Sequence, residues 1–235
     1  MEAQSTLEKA APVAPSAKAA PTPIAYSLGE EIANAVTHGI GVALSIAALT
    51  MLVIFSSIYG NGFHVASSIV YGIALILLYS ASTLYHGIQA PAVKRVLKVI
   101  DHSAIYLLIG GTYTPFTLVT LRAEGGWWLF GLVWGIAVVG IAVEAFWVYR
   151  PKWITAVGYI AMGWLIIFKI QTLLVVLPVP GLWLLIAGGI TYTVGTVFYV
   201  LKRVRYMHAV WHVFCLAGSI LHFLAIVLYV LPSAS

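Results

Sequence analysis

From about residue 31 onward, long unbroken runs of apolar residues alternate with short stretches of Gly, Pro, Asn and charged residues. Seven runs stand out, at about 31–57, 65–88, 101–121, 127–148, 153–176, 182–201 and 207–231. Each is close to the roughly 20 residues that carry a helix across a bilayer. Strands of a membrane barrel would instead show strict alternation over segments of about 10 residues. The pattern therefore predicts an all-α polytopic membrane protein, a bundle of seven transmembrane helices. Turn signals such as Tyr59-Gly60-Asn61-Gly62, Glu124-Gly125-Gly126 and Pro178-Val179-Pro180-Gly181 separate the runs. Tyr113-Thr114-Pro115 predicts a kink in the third helix, because proline removes a backbone donor.

Residues 1–26 read differently. They are rich in Ala and Pro, carry scattered charges at Glu2, Glu8, Lys9 and Lys18, and hold no apolar run. That composition predicts a disordered tail ahead of one membrane domain at 27–235, with no secretory signal.

Composition sharpens the class. The chain is 62% hydrophobic and 8% charged, against roughly 45–50% and about 25% in soluble domains, which excludes a water-soluble fold. A net charge of +5 raises the question of nucleic acid, but the basic residues are spread over short connections, where they orient a membrane protein. Lys9, Lys18, Lys94, Arg95, Lys98, Arg150, Lys152, Lys202, Arg203 and Arg205 fall on the tail and the even-numbered connections. Arg122 lies on the other side, and Lys169 inside the fifth run. The positive-inside rule then sets the N-terminus in the cytosol and the C-terminus outside. The lone Cys215 excludes an intramolecular disulfide.

On that topology the polar residues of four helices collect at one end. Glu31, Asn34 and His38 open the first span, Ser82 and His86 close the second, Asp101 and His102 open the third, and His208 and His212 open the seventh. All fall on the cytosolic side. His208 and His212 are spaced i, i+4, so both imidazoles leave one face of a helix, as two ligands of one ion require. Cys215, Ser219 and His222 continue that face as a polar stripe, and Glu31, Asn34, His38, Gly41 and Ser45 form a second. Three histidines with an open fourth position suit a catalytic zinc ion. His86, His208 and His212 are the expected ligands, Asp101 the acceptor or general base for water, and Ser82 a donor to substrate or water.

Plainer roles are open for several of these residues. Asp101 would also complement a helix N-terminus, and Ser82 would also bond a carbonyl one turn back. Interfacial or hydrogen-bonded positions are expected for His38, His64 and His102. Ser27-Leu28-Gly29-Glu30 reads as a capping box, which leaves Glu31 as the acid of interest. Cys215 reads as a small core residue rather than a fourth ligand. Glu144 and Lys169 have no evident partner and are expected to snorkel toward the interfaces.

Together, Glu31-x-x-Asn34-x-x-x-His38, Ser82-x-x-x-His86, Asp101-His102 leading to Gly111-Thr112-Tyr113-Thr114-Pro115-Phe116, and His208-x-x-Trp211-His212 resemble the hemolysin III family. That family is grouped with the progestin and adipoQ receptors, and more remotely with alkaline ceramidases. The resemblance runs from about residue 27 to the end. It implies a seven-helix bundle in a bacterial inner membrane, with zinc held near the cytosolic side by His86, His208 and His212. Asp101 would hold the water and Ser82 would lie beside it. Relatives in the grouping hydrolyse lipid amides, so the resemblance implies membrane lipids as partners and a ceramide-like amide, or an ester, as substrate.

Two other functions compete. A lytic pore would use zinc only to cross-link helices, which needs a fourth protein ligand such as Cys215 or His38. A transporter or receptor is the third reading: a transporter would place substrate at the midplane between inverted repeats and broken helices, neither of which stands out, and a rhodopsin-like receptor would have the opposite terminus outside.

Overall fold

The computed structural model describes residues 26–201 and 204–233. The expected tail, Tyr26 apart, lies outside the described residues, as do Lys202 and Arg203. Every element among the described residues is helical. They run α1 Leu28–Tyr59, α2 Gly62–Gly87, α3 Pro91–Pro115, α4 Gly126–Trp147, α5 Lys152–Gly163, α6 Ile170–Val176, α7 Val179–Val200 and α8 Met207–Ala225. Six stretches are long and apolar enough to cross a membrane: α1, α2, α4, Lys152–Val176, α7 and Met207–Val230. The chain is thus a multi-pass integral membrane protein. Helix α3 is 25 residues long, but its first half carries Lys94, Arg95, Lys98 and Asp101.

Helix α3 also starts ten residues before the expected apolar run. Pro91 at its first turn has no backbone N–H to leave unpaired, so the helix extends through the basic segment that hydropathy alone reads as a connection. Its far end behaves as expected. Pro115 cannot donate to the carbonyl one turn back, and the chain loosens into a π-turn over Phe116–Thr120, with Leu121 N–H reaching Phe116 O at 2.8 Å.

The capping box at α1 forms as read, with the Ser27 hydroxyl accepting from Glu30 N–H and the Glu30 carboxylate accepting from Ser27 N–H. The fifth expected span is interrupted by a tighter turn over Leu165–Lys169. There the Tyr113 hydroxyl donates to Gly163 O at 2.7 Å and accepts from Ile166 N–H at 2.8 Å. A phenol from α3 thereby satisfies the backbone groups that the break exposes.

Packing arranges the helices around an interior space. Helix α1 packs on α2 and on α8, α2 on α3, α3 on α5, α5 on α7 and α7 on α8. These six close a ring, and α4 lies outside it against α3. Both predicted polar stripes turn inward: Glu31, Asn34, His38, Gly41 and Ser45 are buried on α1, and His208, His212, Cys215, Ser219 and His222 on α8.

Candidate metal centre

The i, i+4 pair His208 and His212 leaves the first turns of α8, and His86 stands at the last turn of α2. All three are buried, and a nitrogen from each lies within 4.8 Å of the others. One ion is able to engage three donors so placed.

The other ring nitrogens say which atoms would face an ion. Nδ1 of His86 lies 2.6 Å from Glu31 Oε2, and a carboxylate accepts, so this nitrogen carries the proton. Nδ1 of His212 lies 3.1 Å from the carbonyl oxygen of Asn34, and the same reasoning applies. Both rings thus present the lone pair of Nε2, and the Nε2 of His86 is buried with no partner. A ligating imidazole that donates its other N–H to a carboxylate or carbonyl is the arrangement that fixes ring orientation and raises basicity at metal sites. His208 Nδ1 is a further buried nitrogen without a partner. The residues therefore fit a borderline-soft divalent ion that prefers imidazole nitrogen.

Glu31 is tied down in turn by Lys94 from α3, whose ammonium bonds its other oxygen. Asn34 Nδ2 lies 3.4 Å from His86 Nδ1. The first-helix candidates thus form the outer shell of the cluster. His38 does too, but by a different contact from the one expected. Its ring stacks on His212 at 3.5 Å and 11°, meets Tyr79 edge-on at 4.9 Å, and both its nitrogens are buried without partners. It is neither interfacial nor hydrogen-bonded. Cys215 and His38 both lie outside the group of three donors.

Ser82 and Asp101 line the same cavity as His38, His208 and His212. Ser82 is buried, and its hydroxyl bonds no carbonyl, so the back-bonded role drops out. The cavity holds about 110 Å³, room for several waters or a polar head group. A second chamber of about 230 Å³ shares Thr112, Tyr113, Gly163, Trp164, Gly189 and His222 with it and is otherwise lined by apolar residues such as Phe116, Ile166 and Leu185. Ile167 lines this chamber and is itself exposed.

One correction concerns the outlying charges. Glu144 does not snorkel: it is fully buried, bonds Arg150 Nη2 at 2.5 Å, and lies 3.4 Å from the Tyr159 hydroxyl and 3.5 Å from His102 Nδ1. Burial alone would lower the Arg150 guanidinium, but the Glu144 carboxylate outweighs it and holds its pKa above the ordinary value. His102 in turn lies 3.0 Å from Lys152 Nζ, and the Tyr159 hydroxyl donates to its carbonyl at 3.0 Å. His102 is thus hydrogen-bonded, as expected, within a buried network, and His64 likewise bonds Asn61 at 3.1 Å. Lys169 reaches the Glu124 carbonyl at 2.5 Å, at the end of the bundle, as a snorkelling lysine does.

Two residues carry no signal in the sequence reading. Tyr26 stacks on His208 at 5.2 Å and 20°, and lies 5.9 Å from the His86 ring; burial pushes its hydroxyl pKa up. Tyr199 lines the cavity with its hydroxyl buried and unpartnered, 6.2 Å ring to ring from His208. Neither has a motif spacing to the histidines, since both reach them only through tertiary packing.

A family profile described as Haemolysin-III related matches residues 26–223. The chain is 48% identical over 206 residues to Hemolysin-3 of Bacillus cereus, covering 88% of this chain and 94% of that one. It is 45% identical over 204 residues to the Hemolysin-3 homolog of Bacillus subtilis (strain 168), covering 87% and 96%. A more distant likeness, 24% over 217 residues, links it to the human monocyte to macrophage differentiation factor, covering 87% and 86%. With the profile spanning the whole helical ring from Tyr26 through His222, the chain belongs to the haemolysin-III-related family.

Proposed function

We propose that the protein is an intramembrane zinc-dependent hydrolase that cleaves a lipid amide, ceramide-like in chemistry, or an ester. The observation that carries this reading is the convergence of three buried imidazoles, two of which donate Nδ1–H to oxygen and so present Nε2. The reading takes α3 as a seventh span, with the N-terminus cytosolic, the C-terminus outside and the bacterial inner membrane as the location. Its basic first half would lie at the cytosolic surface, where positive charge belongs.

His86, His208 and His212 hold the ion, Glu31 and the Asn34 carbonyl orient the rings, and His38 packs against His212. Zinc bound there would supply a Lewis acid and lower the pKa of a water to about 7. Asp101 acts as the general base. As the oxygen of water bonds to the substrate carbonyl carbon, Asp101 takes one of its protons and returns it to the amide nitrogen when the C–N bond breaks, leaving a carboxylic acid, which keeps water's other proton, and an amine. Ser82, buried with an unengaged hydroxyl, donates to the carbonyl oxygen as negative charge develops. The apolar chamber receives the substrate's chain, which enters laterally past Ile167.

The test is elemental analysis of detergent-purified wild type and a His208→Ala/His212→Ala variant, followed by a screen of lipid amides and esters. About one zinc per chain, lost in the variant, with release of fatty acid by wild type alone, supports the reading. A folded wild type that takes up no zinc overturns it.

A further inference from the structure

His222 lies on α8, 8% exposed, at the junction of the two chambers and in the wall of both. Its Nε2 is 3.1 Å from the carbonyl oxygen of Leu185. A carbonyl only accepts, so the proton sits on Nε2 and the neutral ring presents Nδ1 as an acceptor. That Nδ1 is buried and has no partner.

The neighbouring polar groups make the contrast informative. Thr112 bonds Leu108 O, Tyr113 bonds Gly163 O, Thr193 bonds Gly189 O, the Trp164 indole donates to Thr193, and Tyr192 pairs with Ser219. Of the described residues that line the apolar chamber, His222 alone has a buried side-chain atom left without a partner. Its place is also built: a Cβ on Gly188 of α7 would overlap the imidazole, so the facing helix is shaped to admit the ring. Buried polar atoms are seldom left unsatisfied, and the others named above lie at or around the histidine cluster, so within the apolar chamber this is the atom placed to receive a ligand.

We infer that His222 is a second polar anchor, whose Nδ1 accepts a hydrogen bond from a hydroxyl carried far along the ligand's chain. Ten residues of α8 separate His212 from His222, about 15 Å at the helical rise, the length of an extended chain of about a dozen carbons. The ligand is therefore an amphiphile with its polar head at the histidine cluster and a hydroxyl near the other end of its acyl chain. The placement of the head rests on the hydrolase reading; the acceptor at His222 does not.

The experiment is equilibrium binding of dodecanoic, β-hydroxydodecanoic and ω-hydroxydodecanoic acids to the full-length, zinc-supplied protein in detergent. The ω-hydroxy acid is expected to bind wild type about tenfold tighter than the other two, the worth of one buried hydrogen bond. In His222→Phe, which keeps a ring but lacks the acceptor, that advantage is lost while dodecanoic acid still binds. Equal affinity of the three acids for wild type overturns the proposal without recourse to any variant, as does an advantage that survives in His222→Phe. The His208→Ala/His212→Ala variant separates the two readings. If it binds dodecanoic acid as well as wild type does, the head group lies elsewhere and the hydrolase reading fails, while loss of the ω-hydroxyl preference in His222→Phe still decides for His222.

Discussion

Glu31 Oε2 lies 2.6 Å from His86 Nδ1, although the two residues stand at the ends of different helices, and Lys94 from a third helix holds the other carboxylate oxygen. The contact sets the tautomer of a candidate ligand and ties α1, α2 and α3 together beside the histidine cluster. Glu31→Gln keeps the shape but removes the charge that makes the imidazole a stronger donor. Zinc affinity, measured by competition with a chelator, is expected to fall about 10- to 100-fold, with the far-ultraviolet circular dichroism unchanged. In wild type the apparent affinity should fall in acid, because protons compete for the imidazoles. An unaltered affinity in Glu31→Gln would make the contact structural only.

Asp101 and His212 line one cavity but have different expected duties. His212→Ala removes a donor of the cluster and should lose both metal and hydrolysis. Asp101→Ala removes the base alone, so the protein should keep most of its zinc while hydrolysis falls at least about 10²-fold. Metal analysis and fatty-acid release on the same preparations test the division. Equal metal loss in both variants would place Asp101 among the ligands.

Much of the bundle is legible in the sequence because apolar runs report membrane burial directly. What the runs do not report is helicity beyond the apolar zone, so the ten residues of α3 from Pro91 read as a connection. The convergence of His86, His208 and His212 was legible because i, i+4 spacing and topology act over known distances. Tyr26 and Tyr199 were not, since a ring contact with His208 depends on where a segment folds back. Glu144 was misread for a related reason. Its partner Arg150 is six residues on, a spacing that faces no helix pair, and the chain brings them together only by leaving the helix after Trp147.

Glu144 and Arg150 supply the next test. Both are buried, 0% and 4% exposed. Glu144→Leu leaves the guanidinium uncompensated and is expected to cost about 3–5 kcal/mol, seen as a lower unfolding temperature in detergent. Glu144→Leu/Arg150→Met removes both charges and should recover most of that loss. If the double variant is no better than the single, the network around His102 and Tyr159 rather than the ion pair carries the stability.

Topology is checked by single cysteines, since Cys215 is buried. A membrane-impermeant thiol reagent applied to intact cells should label Gly62→Cys and Ala123→Cys but spare Ala90→Cys. All three positions are exposed in the fold. Labelling at both 62 and 123 requires the chain to cross twice between them, once through α2 and once through α3. Protection at 123 would leave α3 out of the membrane and reduce the count of spans to six.

Tyr26 closes the cluster from the side of the N-terminal segment. Its ring stacks on His208 and leans on His86, and it contributes no nitrogen or carboxylate to the site. Its effect is therefore on access rather than on affinity. Tyr26→Ala should let a hydrophilic chelator strip zinc severalfold faster, while the equilibrium metal content and the response to pH stay close to wild type. Tyr26→Phe, which keeps the ring, should release metal at the wild-type rate. The comparison distinguishes a cover from an anchor: if Phe behaves like Ala, the hydroxyl rather than the stacked face holds the site, and the bonding of Tyr26 to its surroundings becomes the interaction to pursue.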